Sequence, residues 1–223
     1  MAEDHVPVIA IDGPSASGKG TVAERVAQVL DFHYLDSGAL YRLVAVAAAR
    51  AGVALAGESG LAALAFAMPI AFRDGKALLG DEDVTDALRT EEAGTAASRV
   101  AAYPAVRTAL LERQRGFRRL PGLVAEGRDM GSVVFPDALL KVFLTADVAT
   151  RARRRHKQLM GKGMYAKMPD VVEDLRRRDE RDSSRPVAPL KHYPDALFLD
   201  TTPLSVDAAV DQIVRWYRER ARG

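Results

Sequence analysis

The sequence predicts an α/β protein built on a parallel sheet with helices on both faces, and three observations carry that expectation. Short β-branched runs alternate with stretches of helical period along most of the chain. The first such run opens into a glycine-rich loop that leads straight into a helix. The 223 residues are 48% apolar and 28% charged, enough for one large domain, or one domain carrying inserts, to bury a core.

Each element follows in order. Val6 to Ile11 is a β-branched run ending at Asp12-Gly13, which reads as a buried strand. From Thr21 the period becomes helical, with Val22, Val26, Val29 and Leu30 on one face. His33-Tyr34-Leu35 is a second strand ending at Asp36-Ser37-Gly38, and the next helix sets Leu40, Leu43, Val44 and Ala47 along one side. Gly52 to Leu120 differs in character. Ile70 to Leu79 places Asp74-Gly75 between two apolar arms, a hairpin signal, and two helices follow, divided near Pro104.

Then the alternation returns. Leu123-Val124-Ala125 is a short strand leading into Glu126-Gly127-Arg128-Asp129. Leu139 to Leu144 is another strand, followed by an Arg-rich helical stretch, and Ala196 to Leu199 is the last. The closing helix buries Val206, Val210, Ile213, Val214 and Tyr217. There is no internal repeat and no low-complexity linker. The expected organisation is one sheet domain with an insert near 62–103 and a basic flap near 151–185.

Composition removes several functions. Without cysteine there is no disulfide framework, thiolate metal site or cysteine nucleophile, and the four histidines are scattered. The start lacks the basic and apolar regions of a signal peptide, and no run is long enough to span a bilayer, so the cytoplasm is expected. A net charge of +2 is too small for a whole-molecule field that holds nucleic acid. The charge is unevenly spread, however. Residues 151–185 hold 12 basic and 6 acidic side chains, a net of +6, against −4 for the rest. Of the basic residues 25 are Arg and 7 are Lys, a bias that suits anionic small molecules and equally a GC-rich genome.

Gly13-Pro14-Ser15-Ala16-Ser17-Gly18-Lys19-Gly20-Thr21 lies between the first strand and the first helix. A phosphate-binding loop must lie there, because its glycines turn backbone N–H groups inward and the helix N-terminus adds its positive end. Lys19 would reach the β- and γ-phosphates. The strict pattern places Ser or Thr directly after the lysine; here Gly20 stands there and Thr21 comes one place later. Guanine-reading switch proteins need an Asn-Lys-x-Asp element, and the chain has no asparagine. Glu126, after a three-residue run, is a poor match to the acidic strand end of a large ATPase. A small-molecule kinase fits best, since phosphoryl transfer needs positioning, charge neutralisation and exclusion of water, all of which an arginine-rich flap supplies.

Four stretches together resemble the bacterial cytidylate kinase family of the nucleoside monophosphate kinases: GPSASGKGT, LDSGALYR (35–42), EGRDMG (126–131) and RDERDSSRPVAPL (178–190). The resemblance runs from about Val8 to the final helix. It implies ATP-dependent phosphorylation of CMP and dCMP with Mg²⁺, on a five-stranded parallel sheet with an inserted monophosphate-binding region and a helical lid. The corresponding boundaries are a core of 1–36, 104–150 and 186–223, a monophosphate-binding region of about 37–103, and a lid of about 151–185.

The same resemblance implies roles. Ser37, Tyr41, Arg42 and Arg128 surround the acceptor phosphate, where converging arginines suit a dianion. Ser98, Arg107 and Asp129 read the cytosine edge; an acid accepts from the exocyclic amine that uracil lacks. Arg178 and Asp182 meet the ribose, and Arg185 closes over the acceptor. Arg178, Asp182 and Arg185 fall at i, i+4 and i+7 of one helical face, so an intrahelical salt bridge is the competing account. Lys19, Arg128, Arg154 and Arg181 act on the transferring phosphoryl group. Thr21 and Asp36 stand near Mg²⁺ through water, with capping of the Ser37 turn an equal account of Asp36. The expected partners are free nucleotides, not nucleic acid or membrane, and the expected state is a monomer. Kinases of UMP, AMP or shikimate, and a regulatory nucleotide-binding module, are the alternatives.

Overall fold

A computed structural model of the protein describes residues 6–73, 76–161 and 163–222. In chain order the elements are β1 (Val8–Asp12), α1 (Lys19–Leu30), β2 (His33–Asp36), α2 (Ser37–Ala51), α3 (Glu58–Ala67), β3 (Ile70–Arg73), β4 (Lys76–Leu79), β5 (Glu82–Asp83), α4 (Thr85–Leu88), α5 (Glu91–Val100), α6 (Pro104–Arg115), β6 (Leu123–Gly127), a single wide helical turn (Met130–Val134), β7 (Leu140–Thr145), α7 (Val148–Gly161), α8 (Met168–Ser184), β8 (Leu197–Asp200) and α9 (Val206–Arg220). The chain divides into two compact units, one comprising the residues up to Leu35 and from Phe117 onward, the other Asp36–Gly116.

The first unit is the predicted α/β layer. Its sheet has the order β2-β6-β1-β7-β8, and the β1–β6, β1–β7 and β7–β8 ladders run parallel. Burial on both faces explains why β1 and β6 are almost continuously apolar. Ile9, Ile11, Val124, Leu140, Val142 and Leu144 form the sheet's share of the core, and α1 and α9 cover them.

Two details of those helices differ from the periodic reading. Val29 of α1 is 55% exposed, because Ala23 and Ala27 widen the buried stripe and rotate its centre away from Val29. Val206 is exposed at the start of α9, and Ala209 joins the buried face instead. Tyr217 packs edge-on against Phe32 with ring centroids 5.5 Å apart. Within the 151–185 segment, α7 and α8 share a small apolar cluster of Ala152, Leu159, Val171 and Leu175.

The second unit pairs α2 with α5 and α3 with α6, and carries a separate antiparallel β3-β4-β5 sheet. The two arms of the predicted hairpin are β3 and β4; its Asp74-Gly75 tip lies outside the described residues. Helix α6 belongs to this unit rather than to the sheet. Tyr103 Oη donates to the Leu55 carbonyl at 3.0 Å, Ala105 N–H donates to Glu58 at 2.9 Å, and Arg113 donates to the Phe66 carbonyl at 2.9 Å. The division therefore falls near 116, beyond the boundary of 103 expected from the sequence, because α6 buries Val106 and Leu110 within the inserted unit.

Candidate active site

The phosphate loop leaves β1 through Gly13, where a Cβ would run into the Leu144 carbonyl of the neighbouring strand. Gly18 has φ of 95°, in the left-handed region that favours glycine, and the first turn of α1 begins at Lys19. Side chains tie the loop's carbonyls outward. Arg151 donates to the Ser15 carbonyl at 3.2 Å, and Arg154 and the Thr201 hydroxyl donate to the Ser17 carbonyl at 2.6 and 3.1 Å. The loop's amides at the start of α1 are then the natural partners of a phosphate. The Ser17 hydroxyl is buried without a hydrogen-bond partner among the described residues, a cost that a phosphate oxygen would relieve.

The departure at Gly20 has a local cause. A Cβ built there would lie 3.2 Å from the Glu126 carboxylate, so the side chain at the end of β6 takes space that a larger residue at position 20 would need. Glu126 is buried; it sits 3.4 Å from the Lys19 ammonium and accepts from the Tyr34 hydroxyl at 3.4 Å. A poor match by sequence thus occupies the neighbouring-strand position beside the loop lysine.

Arg128 follows on the same strand end. Its Nε lies 2.6 Å from Asp182 Oδ2, and its Nη2 donates to the Ser15 hydroxyl at 2.8 Å. Burial alone would raise the Asp182 pKa, but the charge and hydrogen bond of Arg128, with Arg185 and Lys19 beyond, hold it below the usual carboxylate value. Asp182 therefore pairs across to Arg128, just past β6. Arg178 pairs along α8 with Asp174 at 2.8 Å, and Arg185, just past the helix, donates to the Ala188 carbonyl at 3.0 Å. Arg178, Asp182 and Arg185 are all buried, unlike ordinary members of a solvated helix face. Arg181 is half-buried, with Nε 3.3 Å from the Arg177 carbonyl.

Asp129 is buried at the start of a short helical turn, Met130–Val134, to which its side chain makes no capping hydrogen bond. The backbone beyond it is held by Asp12, whose two carboxylate oxygens accept from Met130 N–H at 2.8 Å and Gly131 N–H at 2.9 Å. Burial pushes the Asp12 pKa up to about 7, opposed by those two amide bonds and reinforced by the Asp129 charge.

Beside the loop, a cavity of about 530 Å³ is lined by Gly18, Thr21, Arg154, Gln158, Leu204 and Ala209. Its walls come from the phosphate loop, α7 and the start of α9. Arg154 also donates to the Thr201 hydroxyl and carbonyl at 3.0 and 2.8 Å, which fixes its guanidinium at the mouth of the loop.

In the second unit, Asp36 caps α2 by accepting from Ala39 N–H at 3.1 Å and lies 2.8 Å from Arg42 Nη2. Asp36 thus caps the Ser37 turn and pairs with Arg42. Ser37 and Tyr41 are buried on α2, Ser98 lies half-buried on α5, and Arg107 is buried on α6, donating to the Ala101 carbonyl at 3.3 Å. Three residues of the first unit went unread in the sequence: Asp12, Arg151 and Thr201. Arg151, buried and bidentate to Asp179 at 3.0 and 2.6 Å, ties α7 to α8 as well as to the loop. Among neighbouring arginines it carries no distinguishing signal.

Among the described residues no group of three or more His, Cys, Asp and Glu side chains is arranged to cage a metal ion. No described helix is long and apolar enough to cross a membrane.

Comparison with known proteins adds an independent line. The family model described as cytidylate kinase matches residues 9–219. The cytidylate kinase of Chromobacterium violaceum is 58% identical over 215 residues, covering 96% of this chain and 97% of that protein. The cytidylate kinase of Paraburkholderia phymatum is 59% identical over 214 residues, covering 96% and 94%. A solved structure of an uncharacterized protein from Eubacterium ventriosum is alike in fold, with a TM-score of 0.51, 15% identity, and coverage of 95% of this chain and 98% of that one.

Proposed function

The chain belongs to the cytidylate kinase family, and from that premise we propose that it transfers the γ-phosphoryl group of ATP to CMP and dCMP, giving ADP and CDP or dCDP. The observation that carries the reading within the molecule is the reach of Arg128, from Ser15 in the phosphate loop to Asp182 on α8. One guanidinium adjoins both the donor loop and the basic segment.

An oxygen of the acceptor monophosphate attacks the γ-phosphorus in line, and the bond to the β–γ bridging oxygen breaks as ADP leaves. The nucleophile is already anionic, so no side-chain base is needed. Catalysis is positioning and neutralisation of charge. The loop of residues 13–21 holds the donor phosphates, through the backbone amides beyond Pro14, which has no N–H; Lys19 follows the transferring group, and the cavity beside Arg154 accepts the adenosine. Arg128, Arg154 and Arg181 balance charge on the transferring group. Ser37, Tyr41 and Arg42 bind the acceptor phosphate; Ser98, Arg107 and Asp129 read the cytosine; Arg178, Asp182 and Arg185 hold the ribose and close over the acceptor.

Mg²⁺ would neutralise the β- and γ-oxygens. The Thr21 hydroxyl and the Asp36 carboxylate are hard oxygen groups that would meet the ion through water, which Mg²⁺ keeps readily. Residues 151–185 act as the lid, and the protein works as a cytoplasmic monomer on free nucleotides. Chromatography of a reaction holding ATP, Mg²⁺ and CMP should show CDP and ADP in equal amounts. ADP without CDP would overturn the reading.

A further inference from the structure

We propose that Asp12 is a positioning residue, whose carboxylate sets the turn presenting Arg128 and Asp129 to the acceptor nucleotide. It stands directly before Gly13, yet its side chain serves a different loop. Oδ1 takes the Met130 amide and Oδ2 the Gly131 amide, at 2.8 and 2.9 Å. One rigid, planar group thus fixes two consecutive peptide units just past the base-reading residue. Asp129 has φ of −149° and ψ of 24° and opens a short helical turn, Met130–Val134, whose own backbone bonds run from Val133 and Val134 N–H to the Asp129 carbonyl; its first two amides bond outside the turn, to Asp12. Gly127 completes the connection, because its carbonyl accepts from Gly13 N–H at 3.3 Å. The start of the donor loop and the acceptor-reading loop are therefore joined twice, once through the backbone and once through Asp12. The charged groups facing the carboxylate are Arg128 and Asp129.

The inference rests on the reading of Asp129 as the cytosine-facing acid. Its consequence is specific to the acceptor. Asp12→Asn keeps the volume but turns an NH₂ toward one of the two amides, so the turn loses one bond and gains a repulsive contact. Small misplacements of recognition groups are costly in a preorganised site.

The test compares Asp12→Asn with Asp129→Asn. In folded Asp12→Asn protein, KM for CMP should rise about 10-fold, the CMP-to-UMP ratio of kcat/KM should fall, and KM for ATP should stay within about twofold. A rise in KM for ATP as large as that for CMP, or an unmoved CMP-to-UMP ratio beside an Asp129→Asn variant that does lose selectivity, would overturn the role of Asp12 alone. An unmoved ratio in both variants would remove the reading of Asp129 and this inference with it. Amide exchange in the wild-type protein covers the case of an unstable variant. Met130 and Gly131 amides should be strongly protected, and rapid exchange of both would contradict the anchoring.

Discussion

The guanidinium of Arg128, at the end of β6, lies 2.6 Å from the carboxylate of Asp182 on α8. That pair joins a strand of the central sheet to a segment the sequence marks only by its surplus of positive charge. Both side chains are mostly buried, at 21% and 11% exposure, so removing one charge strands the other in a poor solvent.

Asp182→Asn should therefore lower stability by ~1–3 kcal/mol at neutral pH. Because the folded-state pKa of Asp182 is depressed, its contribution is present above the ordinary carboxylate value and is lost as pH falls through the folded pKa. Urea unfolding at pH 7 and pH 3.5 should show the difference between wild type and variant shrinking at the lower pH. An equal difference at both would remove this pair from the acid response.

Lys19→Met keeps the length and removes the charge beside Glu126. Turnover should fall ~10²–10³-fold or more, because a fixed partner of the transferring phosphoryl group is gone, and the melting temperature should fall as well, because the buried Glu126 carboxylate loses its ion pair. Steady-state kinetics on folded variant protein decides it; near-normal turnover would take Lys19 out of the mechanism.

Arg151, Arg154 and Asp182 tie parts of residues 151–185 to the phosphate loop and to Arg128, but the stretch carries a net charge of +6 and should be drawn in further by anions. Trypsin should cut it readily in the apo protein and much more slowly with CMP plus a non-hydrolysable ATP analogue. Equal cutting would leave it a static basic surface.

Much of this site was legible because its chemistry depends on spacing. The loop 13–21 stood out from its glycines and its place between strand and helix, and the sheet from the alternation of β-branched and helical runs. What escaped were contacts between distant positions. Nothing near Asp12 in sequence points to the amides of Met130 and Gly131, and the short run before Glu126 gives no sign of the space that Gly20 leaves for its carboxylate. The placing of α6 was missed for the same reason: its partner α3 lies some forty residues earlier, and an amphipathic period does not say which surface it faces.

Asp12 also yields a pH dependence. Its raised pKa, about 7, means the folded state favours the protonated acid, so its contribution to stability is full below the unfolded value and is lost as pH rises through about 7. Ionisation completes both amide bonds, so acceptor binding should improve over the same range. From pH 5 to 8, KM for CMP should fall further in wild type than in Asp12→Asn, while the wild-type advantage in melting temperature declines. The variant comparison removes the titration of the CMP phosphate itself, which lies near 6. Parallel profiles would mean that Asp12 does not titrate in this range.

The central claim is selective transfer to the cytosine nucleotide, and the most direct measurement is kcat/KM for CMP, dCMP, UMP and AMP at fixed ATP and Mg²⁺. CMP and dCMP should be the best acceptors, with UMP poorer and AMP poorer still, because a site built to hydrogen-bond the exocyclic amine leaves buried groups unpaired with an analogue lacking it. Comparable efficiency with AMP would contradict the account.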